Sequence, residues 1–183
     1  MDNEDVLIGR PSALKTIAFG GLAIGVLDFI DASIFFPLYY GITFQSVWWG
    51  PASGVLGRDA ARAGGWNTAL LGIFLHFVMA FCIATVYFLA SRNISLMIRR
   101  PVICGLIFGI AANFVMQCVV LPLSAKATSP TAVLSEPLGS ILNSVLGHAL
   151  LVGLPVALIA AGTARTKNPG PQAPTPATPV PPA

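Results

Sequence analysis

Four apolar stretches, each long enough to cross a bilayer as a helix, dictate what this chain can become. They cover about residues 16–40, 67–90, 101–122 and 139–162. A hydrocarbon core takes roughly 20 helical residues to cross. Backbone in lipid must satisfy its own N–H and C=O groups, which leaves helices or a closed barrel. These runs show no alternation of polar and apolar residues, so strands of a barrel are excluded. The fold class is therefore all-α: a polytopic membrane protein with four transmembrane helices in a bundle. Only 9% of the 183 residues are charged and 55% are hydrophobic. A typical soluble domain carries about 25% charged residues, so this chain cannot clothe a soluble surface.

The segments around the spans divide the chain further. Residues 1–15 form an N-terminal segment, 16–162 the transmembrane domain and 163–183 a tail. The opening "MDNEDVLIGRPSALK" carries acidic residues first and no Ala-x-Ala site, so the first span is expected to remain uncleaved. The last sixteen residues, "NPGPQAPTPATPVPPA", hold seven prolines. Such a segment cannot continue a helix or bury a core, and a disordered tail is expected. The connection 41–66 carries Trp48 and Trp49, with Tyr39 and Tyr40 just before it. These aromatics suit the headgroup zone, so part of that loop is expected to lie along the membrane surface.

Basic residues set the orientation. Arg10, Lys15, Arg92, Arg99, Arg100, Arg165 and Lys167 fall on one side of a four-span chain, against Arg58, Arg62 and Lys126 on the other. The positive-inside rule then places both termini in the cytoplasm. No basic stripe accompanies the net charge of +3, so nucleic acid is not an expected partner. Cys82, Cys104 and Cys118 lie in apolar runs without CxxC spacing, which indicates neither disulfides nor a zinc site.

The chemistry-bearing feature is "GVLDFIDASIFF", residues 25–36, which puts Asp28 and Asp31 inside the first span. On a helix they stand 60° apart, on one face. Each ionised Asp at mid-span costs about 2.5–3.5 kcal/mol, roughly 5–7 for the pair. Eleven Ile, Leu, Val and Phe residues between Ile17 and Phe36 offset roughly 3–7 kcal/mol. The span therefore needs neutralisation of a carboxyl or partners in neighbouring helices. Depth identifies those partners. At 1.5 Å per residue, Asp28 lies roughly 18 Å from Tyr40, and His76 and His148 each lie roughly 14 Å from their outer helix ends. Asn113 lies roughly 18 Å from the inner end of its span, with Gln117 one turn further on. All four spans thus offer a polar group in one slab. The small residues Gly21, Gly25, Gly72, Gly105 and Gly109 fall on or near the same faces, where helices approach closely. The acid pair is expected to face the bundle, within reach of His76 or His148, and to titrate as a coupled unit. Pro155 is expected to kink the fourth helix near this layer. Asp28, Asp31, His76 and His148 would suit a transition metal by ligand type, but no ligand motif accompanies them. Neither a metal nor any other cofactor is expected.

The stretches "LHFVMAFCIATVYF", "GLIFGIAANFVMQCVVLPL" and "SVLGHALLVGLP" resemble the YagU-like inner-membrane proteins, a bacterial group. The resemblance covers about residues 70–160 and matches that pattern at His76, Gly147 and His148; the aspartate pair lies outside it. It implies a multi-pass protein of the bacterial inner membrane and supplies no enzymatic activity.

Two functions fit these features. The first is proton-linked transport or sensing of an ion or small solute through the polar layer. Four spans are few for a whole transporter, which favours a homo-oligomer. The second is a structural or stress-related subunit whose polar layer fixes helix packing. An intramembrane enzyme fits least, since no GxGD or hydrolase elbow is present.

Overall fold

The computed structural model describes residues 6–125, 128–129 and 131–167. The proline-rich stretch 168–183, expected to be disordered, lies outside the described residues. Four helices are long and apolar enough to cross a membrane: α1 (Ala13–Tyr40), α4 (Gly65–Asn93), α6 (Pro101–Leu123) and α7 (Leu138–Ala164). Between them lie α2 (Phe44–Leu56), α3 (Arg58–Ala63) and the short α5 (Leu96–Arg99). The chain is an integral, multi-pass membrane protein by the length and composition of these helices.

The spans form an antiparallel bundle in which α1 packs on α4 and α7, and α7 also packs on α6. Small residues create these contacts. Gly21 and Gly25 of α1 receive the rings of Phe81 and Phe77 from α4. Gly105 and Gly109 of α6 face Gly153, His148 and Ala157 of α7, so closely that a Cβ on Gly109 or Gly153 would strike backbone atoms. The buried cluster holds Ile24, Ala80, Ala84, Tyr87 and an alanine face of α7 (Ala157, Ala160, Ala161, Ala164). Outward faces are apolar stripes at helical spacing, such as Leu22, Val26, Ile30 and Ile34, or Ile103, Ile107, Ile110 and Phe114. In water such area would drive aggregation; in lipid it costs nothing.

Both ends of the bundle are tied. At one end β1 (Val6–Ile8) pairs antiparallel with β2 (Arg165–Lys167). There the Ser12 N–H donates to Thr163 Oγ1 at 3.2 Å. At the other end Tyr40 Oη donates to Glu136 Oε2 at 2.8 Å. The segment from residue 163 onward therefore begins as ordered structure, because the N-terminal strand supplies it with a backbone ladder.

At Pro155, where a kink is expected, the helix changes its hydrogen-bond register. The turn before it, His148–Gly153, is π-helical, and so is Met116–Val120 just before Pro122. A proline lacks an N–H and its ring collides with the carbonyl four residues back. Widening the preceding turn relieves both problems. Leu154 N–H then bonds Ala149 O and Leu121 N–H bonds Met116 O, each across five residues.

Candidate functional site

The first span delivers its two aspartates to different neighbours. Asp28 faces α4, where its Oδ2 lies 3.8 Å from His76 Nδ1. Asp31 accepts a 3.0 Å hydrogen bond from Asn143 Nδ2 of α7. The expectation that both acids reach a histidine thus holds for Asp28 alone. The 60° between them is enough to send one toward each flanking helix.

His76 is held by the same close contact that brings α1 onto α4. Its Nε2 lies 3.0 Å from the carbonyl oxygen of Gly25. Without a Cβ at Gly25, the Phe77 ring and the imidazole of α4 fit against that backbone. The carbonyl can only accept, so Nε2 carries a hydrogen and donates. Nδ1 is left on the side of the Asp28 carboxyl, 3.8 Å from its Oδ2, which is longer than a direct hydrogen bond.

His148 repeats this logic. Its Nδ1 lies 3.0 Å from the carbonyl of Ser144, one turn back on α7, so Nδ1 donates. His148 of α7 stands near Asp28, as do His76 of α4 and Asp31. Its side chain is 25% exposed and that of His76 12%.

Asn113 and Gln117 form a second group. Ser144 Oγ donates to Asn113 Oδ1 at 2.6 Å, and Gln117 Nε2 donates to Ser144 Oγ at 3.4 Å. The backbone carbonyl of that same Ser144 holds His148. The six candidates thus resolve into Asp28 with His76 and His148, Asp31 with Asn143, and Asn113 with Gln117 on Ser144.

Three contributors are not evident in the sequence reading. Ser144 and Asn143 sit four and five residues before His148 in "NSVLGH", a polar pair within an apolar run that marks their helix face. Trp48 carries no such signal. It is 1% exposed, stacked on Phe29 at 4.5 Å and edge-on to His76 at 5.2 Å between centroids. It reaches there because residues 44–56 form α2, which packs on α4 where Gly72 meets the Trp48 backbone. The close approach at Gly72 therefore serves α2, not another span. The indole Nε1 of Trp48 and the Ser33 hydroxyl are buried without a hydrogen-bond partner among the described residues. Such atoms are the natural contacts of an ordered water or polar solute.

Asp31 also borders an open groove of about 560 Å³ with Leu27, Ile30, Ile34, Phe35 and Leu151. As for metals, no group of three or more His, Cys, Asp or Glu among the described residues is arranged to hold one. No family model, no curated protein and no solved structure matches the chain.

Proposed function

We propose that this membrane protein moves or senses protons, alone or coupled to an ion or small solute, through Asp28, His76 and His148. The observation that carries this reading is the facing of Asp28 Oδ2 and His76 Nδ1 at 3.8 Å, with Nε2 already committed to the Gly25 carbonyl. That arrangement stores one proton between two helices, in a region where an ionised group is costly. His148 is a second imidazole near the same carboxyl, and in this reading Asp28 exchanges a proton between α4 and α7. The separation exceeds a direct hydrogen bond, so transfer takes a rotamer change or a bridging water. The buried donors Trp48 Nε1 and Ser33 Oγ supply polar contacts for such a water or solute. The role is non-enzymatic. We place the protein in a bacterial inner membrane with both termini cytoplasmic, on the basic-residue asymmetry and the YagU-like resemblance, and working as a homo-oligomer.

A second reading has its own support. Both imidazoles donate to backbone carbonyls, and Asn113, Gln117 and Asn143 each hold a helix neighbour. These are the bonds of a packing layer in a structural subunit. Proteoliposomes carrying an internal pH dye separate the two. With transport, an imposed pH gradient collapses faster with the wild type than with empty vesicles, and Asp28→Asn abolishes the difference while the protein still inserts. Equal decay for wild type, Asp28→Asn and empty vesicles, at every ion gradient tried, would rule out proton transport through Asp28.

A further inference from the structure

Away from the polar layer, three arginines from separate segments meet at the bundle end that carries the termini. Arg10 precedes α1, Arg92 lies in the last turn of α4 and Arg99 ends α5. They line one crevice of about 280 Å³ together with Gly9, Ser91 and Ser95. Among the described residues no carboxylate pairs with any of them; the one ion pair is at Asp28.

The crevice walls are fixed. The Gly9 N–H donates to Ala164 O at 2.8 Å, and Ser12 is tied to Thr163. Ile98 lines the crevice and is 3% exposed. The Arg92 guanidinium lies 5.9 Å from the centre of the Phe88 ring, a contact that orients a cation. Guanidinium forks match the oxygens of a phosphate. The volume is small for a whole organic ligand and suits a headgroup. The setting points to lipid as the carrier. The crevice sits where two spans leave the apolar zone, and Ile94 and Leu96, which flank Ser95, are 51% and 55% exposed. An apolar rim beside a cationic pocket matches a phospholipid, whose phosphate lies next to its acyl chains.

We propose that Arg10, Arg92 and Arg99 bind the phosphodiester of an anionic phospholipid at this bundle end. The proposal is independent of the proton chemistry of Asp28.

Native mass spectrometry tests it on the full chain, released from nanodiscs of phosphatidylcholine with phosphatidylglycerol, with inorganic phosphate as a separate probe. Wild type should retain phosphatidylglycerol in preference to phosphatidylcholine. Each of Arg10→Gln, Arg92→Gln and Arg99→Gln should weaken retention about fivefold. Arg100→Gln, at the same bundle end but outside the crevice, should leave it within about twofold. Circular dichroism reports whether each variant keeps its helices. Phosphate binding with the same arginine dependence would support the site with a soluble source. Equal retention by wild type and the three variants would overturn it, as would an equal loss in Arg100→Gln, which would show diffuse surface charge.

Discussion

Asp31 and Asn143 show how much one side-chain contact does inside the bundle. The Asn143 amide at 3.0 Å is the hydrogen-bond donor placed on that carboxylate. Asn143→Leu should therefore destabilise the protein by about 1–3 kcal/mol, the cost of stranding a polar group. Asp31→Asn combined with Asn143→Leu should recover part of that loss, because a neutral amide is less costly to leave unpaired than a carboxylate. Thermal unfolding in detergent of the two variants reads both effects, and equal stability of single and double variants would contradict the assigned contact. At Asp28 the same type of change has a different readout. Asp28→Asn removes the carboxyl proposed to share a proton with His76 but keeps shape, so stability should stay near wild type while any proton flux is lost.

At the scale of elements, glycines decide which helices touch. A Cβ on Gly153 would meet backbone atoms of Gly105 and Gly109, which cannot swing aside. Gly153→Ala should thus destabilise the α6–α7 pair by about 1–3 kcal/mol, the usual range for overpacking. Gly162 lies on the same helix with no atom near its missing Cβ. Gly162→Ala should be neutral or stabilising by up to about 1 kcal/mol through helix propensity. Comparing the two midpoints under identical conditions separates close packing from propensity. Gly72→Ala belongs to the same class but acts on α2. The new methyl would collide with the Trp48 backbone, so α2 should shift and Trp48 fluorescence should move to the red as its ring gains water.

For the whole molecule, the two ends make separate predictions. Truncation after Lys167 keeps β2 and should leave expression and insertion unchanged. Truncation after Ala164 removes the strand that pairs with Val6–Ile8 and should lower the unfolding midpoint, with no change in membrane insertion. A phosphatase or fluorescent reporter fused after Lys167 tests the orientation. Fluorescence without phosphatase activity is the expected pattern for a cytoplasmic terminus, and phosphatase activity there would reverse the topology.

The sequence by itself determined the number and type of the spans. Apolar length and scarce charge leave lipid-embedded helices as the only way to satisfy the backbone, and each expected span lies within a few residues of an observed helix. It also determined that Asp28, His76 and His148 share a level, because rise per residue is constant along a helix. Only the tertiary structure decided who meets whom at that level. Rotation of each helix about its axis is set by where glycines let backbones close, and that placed His76 on Gly25, Asp31 on Asn143 and Ser144 between Asn113 and His148. The packing of α2 was equally out of reach. Trp48 has the same composition signature at a membrane surface as in a core, and only its seat against Gly72, Phe29 and His76 tells the two apart.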